Sequence, residues 1–125
     1  MDDEASERLL AINMLQFLGY DTDAVDDGNV ALDLFKSALD AGAPFDVVIL
    51  DLLVPGKLGG KEAITQFAAA DPAVKAILVS GYTRDPAMTE FWKYGFSAVL
   101  TKPFSLQELA VTMDFVIGAP ACRVH

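Results

Sequence analysis

Five residues combine reactive side chains with positions that bring such groups together: Asp2, Asp3, Asp51, Ser80 and Lys102. Asp51 follows the apolar run Val47-Val48-Ile49-Leu50, and Ser80 follows Ala76-Ile77-Leu78-Val79. Thr101, Lys102 and Pro103 follow Ala98-Val99-Leu100, and Asp2 and Asp3 stand just before the first helical stretch, where another strand end belongs. Each has an ordinary explanation when taken alone. An Asp after a strand starts a loop or caps a helix, a Ser-Gly makes a turn, and a lone Lys is a solvated charge. Acidic residues also suit a helix N-terminus. Taken together they put carboxylates, a hydroxyl and an ammonium on one edge. Like charges raise each other's pKa unless a cation intervenes. A hard divalent cation such as Mg²⁺ suits one or two carboxylates with carbonyl and water oxygens. A remaining carboxylate oxygen can act as a nucleophile and form an acyl phosphate. An ammonium and a hydroxyl then neutralise the oxygens of an incoming phosphoryl group. The residue types describe a phosphoryl-acceptor site.

The elements that must hold these residues alternate along the chain. Residues 5–18 read as a helix stopped by Gly19, and Tyr20 to Val25 as a short alternating strand before the turn Asp26-Asp27-Gly28. Ala31, Leu34, Phe35 and Ala38 recur at helical spacing over residues 29–41. Val47 to Leu50 is too short for a helix and rich in β-branched residues, so it reads as a strand buried on both faces. A loop with Pro55, Gly56, Gly59 and Gly60 leads to a helix over residues 61–70, and residues 76–79 form a second buried strand. Asp85-Pro86 opens a helix to about Tyr94. Residues 98–100 form another strand. Ser105-Leu106-Gln107-Glu108 is a capping box with a Phe104–Leu109 staple, and it starts a last helix that Gly118 ends. The order α-β-α-β-α-β-α-β-α predicts an α/β doubly wound parallel sheet, whose ligands bind at the carboxyl ends of the strands.

Bulk properties narrow the class. At 125 residues, with 53% hydrophobic and 22% charged, the chain is one domain with a real core and is not disordered. Residues 1–118 make up that domain and residues 119–125 a tail. A net charge of −9 repels phosphate backbones, so direct nucleic-acid binding is not expected. No apolar run is long enough to span a membrane, and the acidic N-terminus is unlike a secretory signal. One cysteine, Cys122, permits no internal disulfide, and a cytoplasmic location is expected.

These pieces closely resemble the response-regulator receiver domain of two-component signalling. The matching residues are Asp2-Asp3-Glu4, Val48 to Leu52 with Pro55, Gly59-Gly60, Val79-Ser80-Gly81 and Lys102-Pro103-Phe104, in the family's order from residue 2 to about 117. The Gly-rich loop, Ser80-Gly81-Tyr82 and Gly95-Phe96 look most like receivers attached to hybrid sensor histidine kinases. The resemblance implies a flavodoxin-like fold in which Asp51 takes a phosphoryl group from a phosphohistidine on a sensor histidine kinase or hybrid-kinase domain. It implies Mg²⁺ held by Asp2, Asp3, Asp51 and the backbone carbonyl of Leu53. It also implies that Ser80 bonds the phosphoryl group, that Lys102 pairs with it, and that the Lys102–Pro103 peptide is cis. Such a domain promotes only its own phosphorylation and dephosphorylation and is not a turnover enzyme.

The sequence departs from the family in two places. Val99 stands where the family often has an aromatic switch residue. The family's central first strand, which precedes the acidic pair, is missing here. Three things can take its place: residues upstream of an internal Met1, a strand from a partner chain through homodimerisation or strand exchange, or the tail from Pro120 to His125. Two other functions compete with phosphoacceptance. One is a receiver-like interaction module that is not phosphorylated. The other is a Mg²⁺-dependent aspartyl-phosphate phosphohydrolase, which resembles Asp-x-Asp, whereas Leu52 and Leu53 follow Asp51 here.

Overall fold

In the computed structural model, residue 1 and residues 5–52, 59–81 and 84–117 are described. Helix α1 covers Ala5–Phe17 and α2 Gly28–Asp40. Strand β1 is Val48–Asp51, α3 is Gly60–Ala70 and β2 is Ala76–Ser80. Two short helices, α4 (Pro86–Thr89) and α5 (Phe91–Tyr94), lead to β3 (Ala98–Thr101) and α6 (Leu106–Ile117). The sheet has three parallel strands in the order β1-β2-β3.

Strand alternation divides the core between the two faces of the sheet. Leu50, Ala76 and Leu78 face Leu32, Phe35, Ile64 and Phe67 of α2 and α3. Ile77, Val79, Ala98 and Leu100 face Leu15 of α1 and Leu109, Met113 and Val116 of α6. Helices thus cover both faces, as the alternation predicts. Strand β2 lies in the middle and is buried at every position.

Local signals explain several boundaries. The Asp27 side chain accepts from Asn29 N–H at 2.8 Å and opens α2. At α6 the capping box forms as expected: Glu108 N–H donates to Ser105 Oγ at 3.0 Å, and Ser105 N–H donates to Glu108 Oε1 at 2.9 Å. Asp85 caps Ala87 N–H at 2.9 Å, with Pro86 at the first helical position. The helix expected to continue to Tyr94 breaks at Glu90, whose backbone leaves the helical region at φ −127° and ψ 47°. The break turns Phe91 and Tyr94 toward the α2–α3 side of the core and leaves Trp92 exposed at 60%.

Two expectations about the sheet need correction. Residues 20–25 form no strand, because a strand requires a neighbour and the described residues provide none beside them. Strand β1 is not buried on both faces along its length, since Val48 and Ile49 are only half-buried. Among the described residues its outer edge carries a single residue of ladder. The Met1 ammonium donates to Ile49 O at 2.6 Å, and Asp51 N–H donates to Met1 O at 3.1 Å, the parallel pattern. Along the rest of that edge runs a cleft of about 1040 Å³, lined by Leu10, Val25, Val47, Ile49 and Ile117 among others. Leu10 is 55% exposed for this reason, on a helix whose only buried residue is Leu15. The tail proposed as a substitute strand lies outside the described residues.

Candidate functional site

The ladder register builds the site. Asp51 pairs with Val79, and Ser80 pairs with Thr101, so Asp51, Ser80 and Lys102 end up at the same edge of three adjacent strands. Two backbone bonds continue the ladder past the strand ends: Leu52 N–H to Val79 O at 2.9 Å and Lys102 N–H to Ser80 O at 3.0 Å. Asp51 and Ser80 are the buried polar residues of the described core, at 7% and 2% exposure. Both are held at the end of a hydrophobic strand.

Asp51 is ionically paired. Lys102 Nζ donates to Asp51 Oδ2 at 3.0 Å across the β2 strand end. The ammonium offsets the desolvation of a carboxylate whose side chain keeps only 9% exposure. The Lys102–Pro103 peptide is cis, as the resemblance implied.

Glycine allows the helix that follows β1 to approach the site closely. A Cβ on Gly60 would lie 2.8 Å from Asp51 O and 3.0 Å from both Leu50 Cβ and Leu78 Cδ1. The N-terminus of α3 therefore rests directly on the backbone of Asp51.

The sequence reading missed one residue. Glu7 Oε1, in the first turn of α1, accepts from Lys102 Nζ at 2.6 Å. The pair is separated by 95 residues in sequence, and no motif contains Glu7, so local pattern could not reveal it. Asp2, Asp3 and Leu53, expected around a metal ion, lie outside the described residues. No group of three or more potential metal ligands occurs among the described residues. Asp51 offers hard carboxylate oxygens, and the further donors that the resemblance implies are carboxylates and a carbonyl, with no imidazole or thiolate. That set suits Mg²⁺ rather than a soft metal.

A model of the response regulator receiver domain matches residues 1–114. The chain is 31% identical over 116 residues to Sensor kinase CckA of Brucella abortus, covering 90% of this chain and 12% of that protein. It is 32% identical over 117 residues to the probable transcriptional regulator ycf27 of Guillardia theta, covering 94% of this chain and 43% of that one. The chain thus spans less than half the length of these relatives. Among solved structures, the receiver domain of sensor histidine kinase PA1611 from Pseudomonas aeruginosa superposes with TM-score 0.82 at 23% identity, covering 95% of this chain and 94% of that one. That structure holds a magnesium ion coordinated in its active site cleft. Chemotaxis protein CheY4 of Vibrio cholerae superposes with TM-score 0.78 at 27% identity, covering 92% of each chain.

Proposed function

This chain belongs to the response regulator receiver domains of two-component systems, and from that premise we propose that Asp51 is its phosphoacceptor, served by Lys102 and Ser80. In this reading residues 1–118 are the receiver unit, residues 119–125 are a tail, and the phosphoryl donor is a phosphohistidine on a sensor kinase or hybrid-kinase domain. The observation that supports it best is the 3.0 Å contact between Lys102 Nζ and Asp51 Oδ2 at the end of the sheet, beside the buried Ser80.

The chemistry follows from these groups. An Asp51 oxygen attacks the phosphorus of the phosphohistidine. An O–P bond forms, the P–N bond breaks, and its electron pair returns to the imidazole, which takes up a proton. The Lys102 ammonium follows the charge from carboxylate to phosphoryl oxygens, and the Ser80 hydroxyl donates to one of them. Burial keeps Asp51 away from bulk water and desolvates the nucleophile. Asp51, with Asp2, Asp3 and the Leu53 carbonyl, would hold Mg²⁺. When bound, the ion neutralises the charge that accumulates on the phosphoryl oxygens. The domain acts on its own acyl phosphate rather than turning over an external substrate, and the modification shifts a conformational equilibrium.

The test is intact-mass spectrometry of the chain after incubation with acetyl phosphate and Mg²⁺, beside Asp51→Asn. The expected result is a gain of one phosphoryl group in the parent and none in the variant. Equal gain in both would place the acceptor elsewhere. No gain in either would favour the unphosphorylated interaction module.

A further inference from the structure

We propose that Glu7 is a resident counter-ion of Lys102: it holds the ammonium that the phosphoryl oxygens need, restrains phosphoryl uptake, and ties the first turn of α1 to the site. The inference rests on the reading of Asp51 as acceptor. It starts from one ammonium gripped by two carboxylates. Lys102 Nζ lies 2.6 Å from Glu7 Oε1 and 3.0 Å from Asp51 Oδ2. Exposure grades across the three side chains, from 9% at Asp51 through 21% at Lys102 to 45% at Glu7. Glu7 therefore sits at the open side of the site, where a donor must approach.

A lysine ammonium has three N–H donors and no acceptor. A phosphoryl group on Asp51 brings additional negative charge into the same few ångströms. The donor that Lys102 holds toward Asp51 can turn to meet it, the phosphoryl oxygens then compete with Glu7 for the same ammonium charge, and the Glu7 carboxylate meanwhile repels the incoming anion. Both effects slow uptake. Once the group is in place, the tie between Lys102 and α1 weakens, so occupancy of the site is felt at the start of that helix.

The experiment uses the full chain and Glu7→Gln, which removes the charge but keeps the shape. Phosphoryl uptake from acetyl phosphate with Mg²⁺ is followed by intact mass at low and high salt. Amide hydrogen exchange is read at residues 9–12, whose helical acceptors lie in the first turn of α1. Glu7→Gln is expected to take up the phosphoryl group roughly three- to tenfold faster at low salt. That gap should close near ~1 M salt, where the screening length is about 3 Å. Exchange at residues 9–12 should rise on phosphorylation in the parent. In the variant it should be raised already and should not respond. Equal rates at low salt, a rate gap that salt does not alter, or α1 exchange unchanged by the substitution would each overturn the role of Glu7. If neither protein gains a phosphoryl group, the acceptor reading itself fails and the counter-ion role falls with it. Uptake by the parent with no effect of Glu7→Gln removes the counter-ion role alone.

Discussion

Lys102 carries the electrostatic load of the strand-end cluster. Its ammonium touches Asp51, which is nearly enclosed, and Glu7, which is half in water. Removing one partner of a buried pair leaves the other charge desolvated, which costs more than the pair itself contributes. Lys102→Met is therefore expected to lower unfolding free energy by about 1–3 kcal/mol. In an Asp51→Asn background, where no buried carboxylate is stranded, the same substitution should cost less than about 1 kcal/mol. Urea unfolding of the four proteins in the cycle checks this. Additive effects would mean that the contact contributes nothing to stability.

At the scale of elements, the site depends on how closely α3 packs on β1. Gly60 has no side chain, and the space a Cβ would need is filled by Asp51 O, Leu50 and Leu78. Gly60→Ala gains little helix propensity at a first-turn position and meets backbone that cannot yield cheaply. The expected outcome is a loss of about 1–3 kcal/mol by overpacking, read by thermal or urea unfolding. A neutral or stabilising Gly60→Ala would show that α3 sits further from the sheet. Gly95 has a different reason for being glycine: it closes α5 with a left-handed φ of 102°. The turn signals at Asp27, Asp85 and Ser105 act locally, and the sequence shows them directly. The kink at Glu90 was not visible there, because packing of Phe91 and Tyr94 against the core decides where that helix divides.

The whole molecule is asymmetric about its sheet. Strand β2 is enclosed, whereas the outer edge of β1 borders a cleft along which the described residues place no strand beyond the Met1 contact. Parallel ladders send alternate N–H groups to opposite sides. Val48 N–H donates inward to Lys75 O, and Leu50 lies on the same side, while Asp51 N–H donates outward to Met1. Ile49 N–H points toward the cleft, where no described residue accepts it. Its amide is expected to exchange at least about tenfold faster than that of Leu50. Protection of Ile49 equal to that of Leu50 would show that another strand, from the tail or from a second chain, occupies the edge.

Sequence alone determined the class of the protein and the residue types of its candidate site. Buried parallel strands are short apolar runs, and the residues directly after them stand at the ligand-binding edge, so Asp51, Ser80 and Lys102 could be picked out by position. Caps and turns were legible because their hydrogen bonds span only a few residues. Tertiary structure decided what depends on distant partners. It brought Glu7 onto Lys102 across the chain, and it seated α3 on Asp51. Among the described residues it also left 20–25 without a ladder and β1 at the edge of the sheet. The physical reason is the same in each case: a strand or an ion pair exists only when its partner is within reach, and periodicity carries no information about that distance.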